Sequence, residues 1–236
     1  GNYLLDPLNV EIISGSSHTA INGDNLLVPT GNTAKIGASL LLTTLADSNV
    51  TITTEKTGGT EAGTITIETP LAYTGSSAST LTLLAAENIA IDSNITSSNA
   101  PLNINLYAQG NVVVANSVNI TTAGGNLVVA GSNDDGAVLG NKLGQAGSFS
   151  LGTTSGNGGT ISTVGLSDAA SGTVSIKTVV RDDSSLASAT TGHITLYGDI
   201  TTSGGAAVST GEAGGAVTLR AGVSEGGVTL TSASAG

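Results

Sequence analysis

Few residues in this chain can do chemistry, and the most suggestive are carboxylates. Asp134-Asp135, with Asn133 and Gly136 beside them, offer the hard oxygen ligands that Ca²⁺ takes. The Gly-rich nonapeptide that holds Ca²⁺ in parallel β-rolls does not occur. No metal site is therefore assigned, and Asp134 and Asp135 stand as calcium candidates in a solvated loop. Asp182-Asp183 follow Arg181 and read as a surface ion cluster. The two histidines, His18 in a loop and His193 at a strand start, lack a nucleophile that the sequence can nominate, because Ser is common throughout. Glycosidase chemistry needs two carboxylates facing each other, and Glu68 and Asp92 sit on outward strand positions that only accident would make neighbours. There is no phosphate-binding loop and no G-x-G-x-x-G opening a helix, so no cofactor is implied.

Composition narrows the classes further. Lys and Arg total 6 against 17 Asp and Glu, a formal net charge of -11, and the pI is near 4.2. Nucleic acid and anionic lipid are bound through basic patches, so neither is expected as a partner. The chain is 39% hydrophobic and only 10% charged, which separates it from disordered acidic tails. Its apolar residues are aliphatic, with one Phe, four Tyr and no Trp. Such residues fill narrow interiors, and the 34 Gly supply corners. Cys is absent, so no disulfide or thiolate metal site is available. No apolar run reaches the length of a membrane span, so no membrane insertion is expected. The first residues lack a signal-peptide pattern, and the chain is read as a mature or excised segment.

The elements that must position these residues repeat. Thr80-Leu-Thr-Leu-Leu-Ala-Ala and Asn88-Ile-Ala-Ile return as Leu102-Asn-Ile-Asn-Leu-Tyr-Ala and Asn111-Val-Val-Val. Leu81 matches Leu102 at 21 positions, Ile89 matches Val112 at 23, and a third copy begins at Asn126. A period near 22 built of short alternating strands marks an all-β solenoid, in which each turn buries its apolar edge only by stacking on its neighbours. Residues 49–236 form this stem, and at about 22 residues per turn they make roughly eight or nine coils, on the order of 40 Å in length. Irregular loops interrupt it near 131–160 and 182–191, where binding is expected.

Residues 1–48 differ from the stem and are read as a segment that packs on or caps it. Short strands are expected at Tyr3–Leu5 and Asn9–Ile13 around an Asp6-Pro7 corner. Residues 14–33 read as polar loop with one apolar patch at Leu26-Leu-Val, and the i, i+4 spacing predicts a helix over Thr33–Leu45 with Thr33 as its cap. In the stem, Asn or Asp followed by Ile or Val and Thr recurs at Asn49, Asn94, Asn119 and Asp199. The last two open the longer phrases Asn119-Ile-Thr-Thr-Ala-Gly-Gly and Asp199-Ile-Thr-Thr-Ser-Gly-Gly. These four residues are read as structural corners, although the Asn members also spell glycosylation sequons. Outward Thr pairs such as Thr51/Thr53 give way to Asn103/Asn105, so no flat Thr array is sustained.

The opening Tyr3-Leu-Leu-Asp-Pro-Leu-Asn-Val-Glu-Ile resembles the strand-Asp-Pro-strand motif of filamentous-haemagglutinin-like exoproteins, which usually carry Trp near the Tyr3 position. Ile36 to Thr54 looks like the helix-then-strand unit that follows it there, and the L-x-L-x-A and G-x-I-T-T-x-G-G phrases after Gly63 look like that family's repeats. The resemblance implies a right-handed parallel β-helix from a large secreted bacterial surface protein, often exported by two-partner secretion and used in adhesion or biofilm cohesion. The family's secretion-domain motifs are absent, which places the segment beyond that domain. The leading expectation is a non-enzymatic, extracellular, adhesive stem whose partners are a host or matrix glycan or protein, or further segments of the same fibre. A self-assembling filament subunit, stacked end to end, is the alternative, and a glycan-cleaving β-helix is a third.

Overall fold

The computed structural model describes residues 8–23, 25–54, 62–130, 147–178, 192–206, 212–221 and 228–230. They form a mostly β structure with one helix and three sheets, of nine, five and eight strands. From Ile65–Ile67 onward the chain visits the nine-, five- and eight-stranded sheets in strict rotation, ending on Val228–Leu230. Every pairing among those strands is parallel.

Alternation sets the two faces of each strand. In the nine-stranded sheet, Ile65, Ile89, Val112, Phe149 and Ile194 stand in register, as do Ile67, Ile91, Val114, Leu151 and Leu196, and all are buried. The intervening Thr66, Ala90, Val113, Ser150 and Thr195 face outward. Equivalent buried columns run through the other two sheets, as in Leu71–Ile95–Ile120–Ile161 and Ile52–Leu83–Leu106–Val129–Ile176. All three sets belong to one apolar core. Each strand therefore buries its inner residues against the layers above and below as well as across the interior.

The register differs from the sequence match by two residues. Leu81 pairs with Ile104, and Leu102 pairs with Ser79, so the step between these strands is 23 rather than 21. A shift of two leaves every side chain on the same face, and alternation cannot detect it. The passes also lengthen: Val112 pairs with Phe149, 37 residues on, and Phe149 with Ile194, 45 residues on. Fewer layers result than a uniform period of 22 implies, with six strands of the nine-stranded sheet falling between Ile65 and Leu230.

The first layers are built differently. The helix spans Ala38–Asp47 rather than Thr33–Leu45, because Ala34–Gly37 is a strand paired in parallel with Val10–Ile13. Ala34 and Ile36 are buried by strand alternation, and the Lys35 ammonium meets the in-register Glu11 carboxylate at 2.9 Å. That hydrogen bond and the attraction of the Glu11 charge raise the Lys35 pKa. Thr33 does not cap the helix: it turns the chain with φ of +46°, and the cap position is Gly37, which has no side chain to offer. The helix fills the place in the rotation that a strand of the five-stranded sheet takes in later passes. It packs against Leu71–Tyr73, the end strand of that sheet, and sends Leu41 and Leu45 into the core.

Residues 14–33 are not simply loop. His18–Thr19 pairs antiparallel with Ala34–Gly37, Ile21–Asn22 pairs antiparallel with Leu26–Pro29, and Leu26–Pro29 runs parallel to Val50–Thr53. The two-residue strands His18–Thr19 and Ile21–Asn22 are thus outermost in the nine- and eight-stranded sheets. Short antiparallel strands expose little edge to a further layer. At the far end, Asp199–Thr201, Val217–Arg220 and Val228–Leu230 are the last strands, each extending the parallel order. The expected strand Tyr3–Leu5 lies outside the described residues.

Close stacking explains the second Gly of the pairs 124–125 and 214–215, and the single Gly172 in the same column. A Cβ on Gly125 would collide with the Leu102 carbonyl, one on Gly172 with the Gly125 carbonyl, and one on Gly215 with the Gly172 carbonyl. Only the first of the pair at 124–125 has positive φ, +94° at Gly124. Replacing Gly172 by Ala should force two layers apart and lower stability by about 1–3 kcal/mol. Gly156→Ala is a control with open space around it but a φ of +81°, and it should cost only the local strain, about 1–2 kcal/mol. Urea melts of the two variants test this, and an equal or smaller loss in Gly172→Ala would remove the stacking account.

Candidate functional site

Side-chain ladders at the corners organise the residues that were singled out. In the five-stranded sheet, Asn94, Asn119, Thr160 and Asp199 each immediately precede or open a strand and stand in one column. The Asn119 N–H donates to Asn94 Oδ1 at 2.8 Å, and the Thr160 N–H donates to Asn119 Oδ1 at 2.8 Å. Asp199 takes the last rung and is exposed. Asn49 belongs to a different corner, ahead of the eight-stranded sheet. There the Thr80 N–H donates to Asn49 Oδ1 at 2.9 Å, the Asn126 N–H to Asn103 Oδ1 at 2.9 Å, and the Thr173 N–H to Asn126 Oδ1 at 2.8 Å. A third column, which the Asn-Ile-Thr phrase does not reveal, precedes the nine-stranded sheet. The Thr64 N–H donates to Asn9 Oδ1 at 2.8 Å and the Asn111 N–H to Asn88 Oδ1 at 2.8 Å, while Ser148 Oγ donates to Asn111 Oδ1 at 2.7 Å.

A buried hydroxyl completes the phrase Asn-Ile-Thr-Thr-x-Gly-Gly. Ser97, Thr122 and Thr163 stand one step past in-register pairs of the five-stranded sheet and donate inward to the carbonyls of Ala100 (2.5 Å), Gly125 (2.6 Å) and Gly172 (2.8 Å). Tyr73, in the same column, donates its hydroxyl to the Ser77 carbonyl at 2.6 Å. Each closes the turn into the eight-stranded sheet, and no buried side-chain polar atom among the described residues lacks a partner. Thus Asn sets the next layer, Ile enters the core, the first Thr faces out and the second closes the corner.

The candidate chemical groups do not converge. His18 and the His193–Ile194 strand start are seven strand spacings apart in the nine-stranded sheet, about 34 Å. Glu68 and Asp92 are neighbours after all: they follow Ile67 and Ile91, which are in register, so adjacent layers carry them side by side. Both are exposed and stand side by side on one outer face rather than facing each other across a cleft. Among the described residues no three His, Asp or Glu gather to hold a metal. Asp134, Asp135, Asp182 and Asp183 lie outside the described residues. A hollow of about 150 Å³ opens between the helix and the terminal strands, lined mainly by Ile21, Leu27, Ile36, Leu40 and Leu41, with His18 at hand. Among the described residues its lining carries no carboxylate or thiol. No helix among the described residues is long and apolar enough to cross a membrane.

Connections lengthen at two corners. Residues 131–148 and 178–193 join Leu127–Ala130 to Phe149–Leu151 and Val174–Lys177 to Ile194–Leu196, where the eight-stranded sheet hands the chain back to the nine-stranded one. Residues 163–173 and 202–216 join the five-stranded sheet to the eight-stranded one.

Asn94→Ala removes the acceptor for the Asn119 N–H and should cost about 1–2 kcal/mol. Asn94→Asp keeps an acceptor oxygen and should retain most of that stability at neutral pH. Thermal melts of both variants decide the matter, and equal losses would mean that the ladder bond is not what the Asn supplies. Comparison with family models, with curated proteins and with solved structures finds no match in any of the three.

Proposed function

We propose that this chain is a stem segment of a large extracellular bacterial surface protein, folded as a right-handed parallel β-helix and used in adhesion or biofilm cohesion. The observation that carries the reading is the strict three-sheet rotation, with aliphatic columns inside and Asn ladders at all three corners. Parallel crossovers between strands of one sheet are right-handed by strong preference, which supports the hand of the coil. A stack of this kind extends a surface by adding layers, each stabilised by its neighbours. The work assigned to it is mechanical and adhesive rather than catalytic: among the described residues the two histidines lie far apart along the stack, and the neighbouring Glu68 and Asp92 sit exposed on an outer face. The bacterial surface location rests on the resemblance of the opening strand-Asp-Pro-strand phrase and the repeats.

A second reading, a subunit that stacks end to end into a filament, is favoured by the far end of the stack. Val217 is 44% exposed there, while its in-register neighbour Val174 is 1% exposed. The near end argues the other way, because antiparallel strands and the helix lie across it.

The absence of Cys makes the stack testable by paired spin labels. Cysteines placed at Thr66 and Thr195, four layers apart in one outward column, should report a separation of about 20 Å. A distance beyond about 35 Å would exclude the layered coil. Sedimentation over a hundredfold range of concentration should give a single 22.8 kDa species, whereas fibres would establish the second reading. Bacteria displaying the chain should be retained better on matrix-coated surfaces or on one another, and unchanged retention would sink the adhesive assignment.

A further inference from the structure

We propose that Lys177 and Arg220 form a binding site for the carboxylates of an acidic polysaccharide on the outer face of the eight-stranded sheet. The two residues are directly in register on adjacent parallel strands. Alternation turns both outward, away from the buried Ile176 and the core-packed Leu219. Their backbones are therefore about 4.8 Å apart. Like charges set opposite each other on a sheet cost stability. In a chain with 6 cations and a net charge of -11, such a pairing is not what composition alone would produce.

No ion pair among the described residues accounts for it. The ion pair among the described residues is Lys35 with Glu11, in another sheet. Outward positions elsewhere in the eight-stranded sheet are filled without charge, by Thr51, Thr82, Asn105 and Val128 in one column. In the column of Lys177 itself, Leu84 and Tyr107 are in register, Tyr107 pairs with Ala130, and the pairing of Val129 with Ile176 sets Ala130 beside Lys177. With Thr53 in register with Leu84 at its other end, the two cations end a column that otherwise carries no charge.

The surroundings select the ligand. Ser175 and Thr218, in register two residues earlier on the same face, add hydroxyl donors beside the charges. An Arg guanidinium pairs with a carboxylate through two parallel N–H bonds, and Lys adds a second charge to the same oxygens or to the next group along. Arg220 is exposed and Lys177 half-buried rather than enclosed, so a small monovalent acid would be held weakly. A polymer with a carboxylate on successive units gains by repeated engagement. Two cations neutralise too few phosphates to hold a nucleic acid against a net charge of -11.

The proposal deepens the stem reading by naming a class of partner, and it is measured on the purified whole chain, independently of the retention of cells. Polygalacturonate binding is followed by calorimetry at about 0.15 M salt, beside neutral dextran, dextran sulfate and duplex DNA. Polygalacturonate should bind, and the double variant Lys177→Ser with Arg220→Thr should bind at least about tenfold more weakly. Its melting temperature should be unchanged or raised, because a repulsive pair has been removed. Equal binding by the double variant, or no binding by the parent chain, overturns the site. Stronger binding of dextran sulfate or of DNA than of polygalacturonate overturns the carboxylate assignment.

Discussion

At each of three corners, a side-chain oxygen of Asn accepts the N–H that opens the strand of the next layer. The rest of the structure depends on that contact. Strand ladders alone leave the chain free to slide, because a parallel pair slipped by two residues keeps its inner and outer faces. A corner carboxamide opposes the slip, since moving the next layer by two residues would carry the N–H it accepts out of reach. Where Thr stands in place of Asn, as at Thr80 and Thr160, the rung donates its N–H to the Asn below and has no carboxamide to offer the layer above. The ladders are therefore interrupted in places, and the aliphatic columns carry the stack across those steps.

Those columns explain the composition. A layer about 4.8 Å thick leaves each inward side chain sandwiched between its equivalents above and below, a slot suited to Ile, Val and Leu. The aromatic exceptions are absorbed singly: Phe149 takes a rung between Val112 and Ile194, and Tyr73 is buried with its hydroxyl tied to the Ser77 carbonyl. Burial of apolar area is the main favourable term. In this architecture it is supplied mostly by contact between layers, so the two ends of the stack are where it fails. The near end is finished by the helix and by short antiparallel strands, whereas the far end leaves Val217 exposed.

The same division governs where function can reside. Inward residues, corner Asn and stacking Gly are each fixed by a neighbour in the next layer. Outward residues on the strands are held by fewer such constraints, and the longest connections leave from two corners. A site assembled from outward residues of successive layers, such as Lys177 with Arg220, costs the core nothing in packing. That is the kind of site a stem can gain or lose without losing its fold.

Much of this was legible in the residues. Alternation in Ile65-Thr66-Ile67 or Val112-Val113-Val114 shows a strand with one inner face, and the returning phrases show stacking with a period in the low twenties. Hydropathy also locates a helix near Leu40–Leu45, and Asn94, Asn119 and Asp199 were readable as corners of one kind. Tertiary structure decided what depends on which residue is opposite which. It set Leu81 against Ile104 instead of Leu102, made Ala34–Gly37 a strand although Ile36 falls at helical spacing from Leu40, and turned residues 18–29 into terminal strands. It placed Asn49 on a different corner from Asn94, and it gave Gly125 and Gly172 their reason, a carbonyl one layer away rather than a turn. It also made neighbours of Glu68 and Asp92, and of Lys177 and Arg220, residues 24 and 43 positions apart in the chain. Periodicity in a sequence records which way a side chain points, because that depends on the local backbone alone. The partner it meets depends on the length of every loop between, and only the folded stack fixes that.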